Sequence, residues 1–135
     1  MPYWRLFYHF NWATKHREPL ITPDVELRLY GFLRHEGEKM QAPLVYTNGM
    51  PDHVHVLVSV RPAISPAEFA KQLKGASSHF MTHKLEWGFE WQDDYGVLSV
   101  SEKDVPRVIE YIKNQKQHHA EKRIWQEFEE AGKEE

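Results

Sequence analysis

The run His53-Val54-His55-Val56-Leu57-Val58-Ser59-Val60 constrains this chain more than any other segment. Read with the two-residue period of a strand, it sends Val54, Val56 and Val58 to one face and both imidazoles to the other. Leu44 to Thr47 is a short strand candidate just upstream. The intervening Asn48-Gly49-Met50-Pro51-Asp52 carries strong turn chemistry, so the two strands read as a hairpin.

The rest of the chain supplies elements around that hairpin. Trp4, Leu6, Tyr8, Phe10 and Trp12 alternate with Arg5, Phe7, His9 and Asn11, the pattern of a first strand rich in aromatics. Thr22 before Pro23, with Asp24 and Glu26 in the first turn, starts a helix; Val25, Leu29, Phe32 and Leu33 recur at helical spacing, and Gly37 closes it. Ser65-Pro66-Ala67-Glu68 has the form of a capping box, followed by the apolar face Phe69, Leu73, Ala76 and Phe80. Trp87 to Tyr95 is turn-like, and Gly96 to Ser101 reads as a final strand. A helix follows from about Asp104, with Val105, Val108, Ile109 and Ile112 as its buried stripe.

The order βαββαβα predicts an α+β fold, a ferredoxin-like sandwich whose antiparallel sheet carries its helices on one face and leaves the other free. At 135 residues, 41% hydrophobic and 27% charged, the chain fits one globular domain. We place that domain at 1–124 and an acidic tail at 125–135. No cysteine is present, which points to an intracellular, cytoplasmic setting. Arg5, His9 and Asn11 interrupt the apolar amino terminus, and nothing approaches the roughly 18 apolar residues of a membrane span, so no membrane partner is expected. The net charge of −3 counts against a nucleic-acid partner. Glu127, Glu129, Glu130, Glu134 and Glu135 crowd the tail, however, and leave the body closer to neutral, so a local basic groove remains open.

Two pairs of residues carry chemistry. His53 and His55 share a strand face and reach one metal ion, as neutral imidazoles suited to first-row divalent cations, with positions left for a third group, water or a phosphate oxygen. Spacing alone leaves open a plainer reading, two polar histidines on a solvated face. Tyr111 and Gln115 stand four apart in the last helix, on one side of it and flanking the apolar stripe, where they can face a cleft. A tyrosine hydroxyl can form a covalent intermediate, and an amide oxygen is a neutral third ligand for a hard ion such as Mg²⁺ or Mn²⁺. A boundary tyrosine and a surface glutamine would look the same at this stage. His118-His119 suits a helix-end role, since adjacent helical residues point about 100° apart.

Together these residues sit inside longer segments in a fixed order: Trp12-Ala13-Thr14-Lys15-His16-Arg17, Met50-Pro51-Asp52-His53-Val54-His55-Val56-Leu57-Val58, Leu73-Lys74-Gly75-Ala76-Ser77-Ser78, Trp91-Gln92 with Tyr95-Gly96, and Tyr111-Ile112-Lys113-Asn114-Gln115. In them the chain resembles the single-tyrosine HUH transposases of bacterial insertion sequences, of the IS200-like type, from about Phe7 to His119. The resemblance implies a DNA transposase in which His53, His55 and Gln115 bind a divalent metal, Mg²⁺ or Mn²⁺. Tyr111 would attack single-stranded DNA, leaving a 5′-phosphotyrosine link and a free 3′-hydroxyl that can reverse the reaction. It also implies hairpins at element ends as partners, and a homodimer in which active sites can be shared between subunits. No Gly-rich phosphate loop is present, and this chemistry needs no nucleotide.

The basic and neutral side chains expected at phosphate are Lys15, Arg17, Lys71, Lys74 and Lys113, with Ser77 and Ser78. Trp4, Tyr8 and Trp12 fit the core better than base stacking. Three rival readings stand: a domesticated relative that processes chromosomal hairpin repeats, a non-catalytic module that binds single-stranded nucleic acid, and a metal enzyme acting on small molecules.

Overall fold

The computed structural model describes residues 3–120. Strand β1, Phe7–Ala13, begins later than the alternation of aromatics suggests and keeps its period, with Phe10 and Trp12 buried on one side. Helix α1 is Pro23–Lys39, and strands β2, Leu44–Met50, and β3, His53–Ser59, make the hairpin. Helix α2, Pro66–His79, strand β4, Gly96–Val100, and helices α3, Val105–Lys113, and α4, Gln115–Ala120, complete the order. The sheet runs β2-β3-β1-β4 with every pair antiparallel, so β3 lies between β1 and β2, and β1 between β3 and β4. This is the ferredoxin-like arrangement expected of the element order.

The main core lies between the sheet and two helices. Phe10, Trp12, Val54, Val56 and Val58 from the sheet meet Leu29 and Leu33 of α1 and Phe69 and Leu73 of α2. Phe32 and Phe80 stack at 4.3 Å between ring centroids where the helices meet. Ser65 caps α2 as its capping-box form requires, its hydroxyl accepting from the Glu68 N–H at 3.0 Å.

Three local readings change. Gly37 does not close α1, which runs on to Lys39 and exits through Gln41 at φ 57°. Its glycine serves packing instead: an added Cβ would lie 2.2 Å from Leu44 Cδ1 and 2.7 Å from the Ala42 carbonyl. In the hairpin, Met50 pairs with His53, so the turn is only Pro51-Asp52 and Asn48 and Gly49 belong to β2. The segment before β4 is not all turn, because Lys15 N–H donates to Glu90 and Gln92 N–H to Ala13, each at 2.9 Å, pairing it briefly with the end of β1.

The second sheet face is not left free. Leu57 and Val100 make an apolar strip there, and α3 covers it with Val108, Tyr111 and Ile112. Such a strip exposed to water would be unfavourable, so α1 and α2 sandwich one face while the α3–α4 segment covers part of the other. Among the described residues, no helix is long and apolar enough to cross a membrane. The acidic tail, 125–135, lies outside the described residues.

Gly49 has no positive φ, and its constraint is steric: a Cβ there would sit 2.2 Å from the His53 carbonyl oxygen. Gly49→Ala should therefore destabilise the protein by about 1–3 kcal/mol, read as a lower urea midpoint.

Candidate active site

Period-two geometry delivers both histidines to the α3 side of the sheet, where their rings lie 5.2 Å apart at 77°. Register puts Asn11 opposite His55 and Ala13 opposite His53, so β1 adds its own polar residues to the face. His9 and Asn11 are buried there, and His9 Nε2 lies 2.9 Å from His55 Nδ1.

The tyrosine and the glutamine reach this face in a way that helical spacing does not describe. The helix breaks at Asn114, so Tyr111 lies in the last turn of α3 while Gln115 begins α4. The joint is pinned by Asn48, whose side-chain amide donates to the carbonyls of Ile112 at 3.1 Å and Lys113 at 3.2 Å. Lys116 donates to the Gly49 carbonyl at 3.0 Å and pairs with Glu26 of α1. Tyr111 then packs edge-on to His55, ring centroids 5.9 Å apart, and Gln115 Oε1 stands 3.0 Å from His53 Nε2. Neither residue faces an open cleft: Tyr111 is 1% exposed and Gln115 fully buried. Tyr111 belongs to the apolar cluster with Leu57, Val108 and Ile112 rather than to its flank.

Asp52, in the hairpin turn, orients His53. Its Oδ1 lies 2.8 Å from His53 Nδ1, and its Oδ2 accepts from Arg17 Nε at 3.1 Å. Arg17 Nη2 also lies 3.1 Å from that Nδ1, but a guanidinium only donates and a carboxylate only accepts. The shorter contact identifies the bond: Nδ1–H donates to Asp52. Burial pushes the Asp52 carboxyl up, but His53 and Arg17 overcome it and hold its pKa at about 2. Arg17 reaches this position through consecutive left-handed residues, His16 at φ 56° and Arg17 at φ 54°. Such backbone costs about 1–2 kcal/mol per residue. Arg17 N–H donating to Thr14 at 2.9 Å and the Thr14 hydroxyl donating to Glu18 at 2.6 Å help hold it.

His53 Nε2 and Gln115 Oε1 stand 3.0 Å apart, a distance that suits an N–H···O bond when Nε2 carries the proton and a shared cation when it does not. Among the described residues no group of three or more His, Cys, Asp and Glu side chains could hold an ion. A metal site on this face would draw on His53, His55 and the neutral amide of Gln115, donors whose chemistry suits a divalent ion.

The expected phosphate contacts separate. Lys71 is exposed on α2, and with Gly75, Ser78, Trp91, Gln92 and Tyr95 it lines a concavity of about 310 Å³. Lys15 is exposed and paired with Glu90 at 3.1 Å, and Lys113 is exposed on α3. Lys74 serves the fold instead, because its ammonium donates to the carbonyls of Gln92, Asp93 and Asp94 at 2.6, 2.9 and 3.0 Å. Burial also lowers its pKa against the opposing pull of Asp93 and Asp94. Ser77 is corrected as a DNA contact: it is fully buried, donating to the Leu73 carbonyl at 2.8 Å and accepting from Trp91 Nε1 at 2.9 Å. The side chains of His118 and His119 lie outside the described ones.

Sequence reasoning passed over His9, Asp52 and Asn48. The signal for His9 was present, since a polar residue alternating with Phe10 and Trp12 must lie on the face that also receives His53 and His55. Asp52 and Asn48 read as turn formers.

A carboxyl held below its ordinary value binds fewer protons in the folded than in the unfolded state. The stability it contributes is complete above about pH 4 and is lost as pH falls toward 2. In urea titrations of the metal-free protein, Asp52→Asn should flatten that acid limb by on the order of 1–2 kcal/mol.

The chain is similar to known proteins over most of its length. The family described as "Transposase IS200 like" matches residues 2–115. The ISDra2 transposase TnpA of Deinococcus radiodurans is 33% identical over 119 residues, covering 83% of this chain and 85% of that protein. The transposase for insertion sequence element IS200 of Salmonella typhimurium is 26% identical over 119 residues, covering 83% and 78%. A crystal structure of a candidate transposase from Deinococcus radiodurans R1 superposes with TM-score 0.69 at 35% identity, covering 84% of this chain and 93% of that one. A REP-associated tyrosine transposase bound to a REP hairpin shares the fold, with TM-score 0.65 at 12% identity over 92% and 73% of the two chains. With a family match over nearly the whole described domain, this chain belongs to the IS200-like transposases.

Proposed function

We propose that this transposase cuts and rejoins single-stranded DNA through a covalent link to Tyr111, at hairpins formed by the ends of a mobile element. The observation that carries the reading is convergence: His53, His55, Gln115 and Tyr111 come from two strand positions and two helices and meet on one sheet face. The Tyr111 oxygen bonds to phosphorus as the bond from phosphorus to the 3′-oxygen breaks. A 5′-phosphotyrosine and a free 3′-hydroxyl result, the proton that leaves the tyrosine oxygen being balanced by the one taken up, through solvent, at the departing 3′-oxygen. Since the phosphodiester energy is kept in the link, attack by a 3′-hydroxyl rejoins strands without a nucleotide.

His53, His55 and Gln115 would hold the ion, Mg²⁺ or Mn²⁺. An ion held by these residues would supply a Lewis acid for the phosphate and charge to offset that developing in the transition state. Asp52 keeps the His53 ring turned, and Arg17 places a guanidinium beside it at the rim. Because Tyr111 is buried, the phosphate reaches its hydroxyl only after the α3–α4 segment shifts, and the break at Asn114 is the natural point for that movement. The assembly implied by the family resemblance is a homodimer in which active sites can be shared between subunits, and it belongs to this proposal.

The hairpin substrate is supported by the fold relative that is itself bound to a REP hairpin. Lys71 and Ser78 of α2, with Trp91, Gln92 and Tyr95 beside it, offer a concave surface for its backbone, the Glu90 and Asp93 carboxylates lying on the same lining. No observation favours the domesticated, non-catalytic or small-molecule readings over this one.

The test mixes the protein, Mn²⁺ or Mg²⁺ and labelled single-stranded DNA from the flanks of its gene, and looks on a denaturing gel for a protein-linked fragment. Wild type should form the adduct, and Tyr111→Phe should form none while binding the hairpin and Mn²⁺ normally. Activity that survives Tyr111→Phe would sink the reading. Lys71→Glu should weaken hairpin binding and reduce the salt dependence of log K by about one, measured by titration at several ionic strengths.

A further inference from the structure

His9 has no task in the proposed reaction, yet it lies buried beside His55. It lies between Leu57 of β3 and Leu98 of β4 in the sheet register, diagonal to His55, with no accessible surface on either imidazole. The His9 and His55 rings are 5.1 Å apart and tilted by 39°, and Nε2 of the first is 2.9 Å from Nδ1 of the second. That separation is a hydrogen bond and not a packing contact.

We propose that His9 is a positioning residue that fixes the tautomer and the orientation of His55. The proposal rests on the reading of His53 and His55 as metal ligands. A neutral imidazole has one N–H, so the pair has two arrangements. When His9 donates, His55 carries its own proton on Nε2, and that nitrogen has no lone pair to offer. When His55 donates from Nδ1, its Nε2 keeps the lone pair with which it would bind an ion, and His9 is the acceptor.

The second arrangement makes the two ligand histidines equivalent. Each has Nδ1 held by a hydrogen-bond acceptor and would bind an ion through Nε2, with the Asp52 carboxylate serving His53 and the His9 imidazole serving His55. An apolar residue at position 9 would leave a buried Nδ1–H without that acceptor and the ring without its orienting bond. Partners of this kind typically contribute 10- to 100-fold to metal affinity.

Two measurements decide it. Long-range ¹⁵N–¹H NMR of the metal-free wild type should show His55 protonated on Nδ1; predominant Nε2 protonation overturns the proposal without any variant. Calorimetric titration with Mn²⁺ should show His9→Phe binding about 10- to 100-fold more weakly than wild type. His9→Gln, whose amide oxygen can accept the same proton, should recover most of that loss. Should His9→Phe fail to fold, His9→Gln and the wild-type tautomer still decide the matter: a folded Gln variant that binds as poorly as His55→Ala counts against His9 as an acceptor. A His9→Phe protein that binds as tightly as wild type overturns the role of His9 alone. A wild type that fails to bind Mn²⁺, or a His55→Ala variant that binds it undiminished, overturns the ligand reading instead.

Discussion

The register of β1 against β3 is the constraint on which the rest of this structure depends. Side chains alternate along a strand, so a slip of one residue would turn His53 and His55 into the α1–α2 core and Val54, Val56 and Val58 out of it. The register is held by the residues that do not react. Phe10, Trp12 and the three valines are all fully buried, and burial contributes roughly 1.5–3 kcal/mol for a large apolar side chain. The position of the two imidazoles is therefore a consequence of the packing on the opposite face of the same sheet.

On the reactive face the balance is different. His9, Asn11, His53, His55 and Gln115 are buried polar side chains, and each is costly to remove from water unless a partner meets it. The partners come from distant segments: Asp52 from the hairpin turn, His9 from β1, and Gln115 from beyond the helix break. The α3–α4 segment closes over them, with an apolar strip beneath α3 and polar ties from Asn48, Glu26 and Gly49 at the joint.

The charge of the chain is also reorganised by folding. Lys15 is paired with Glu90, Arg17 with Asp52, and Lys74 donates to three loop carbonyls. Fewer cations are open to phosphate than a count of lysines and arginines suggests, and Lys71 and Lys113 stand out among the exposed ones. The strained turn at His16 and Arg17 has a clear consequence in this setting, because it delivers one guanidinium to the edge of the histidine site.

Much of this was legible in the sequence. The period of two in His53–Val60 established which side chains share a face, the capping box at Ser65 started α2 where it starts, and the order of elements led to the antiparallel ferredoxin-like sheet. These are local signals, carried by residues a few positions apart. Local spacing failed for Tyr111 and Gln115, which share a neighbourhood because Asn48 holds a broken helix rather than because they lie one turn apart. Gly37 and Asn48-Gly49, read as a helix stop and a turn, are packing and strand residues whose reasons lie in neighbouring backbone. The sequence by itself determined the elements, their apolar faces and the shared strand face of His53 and His55. Only the tertiary structure decided that His9 meets His55 across 46 positions, that Asp52 orients His53, and that Tyr111 is buried, because strand register and helix docking are set by contacts between segments that carry no sign of each other in the chain.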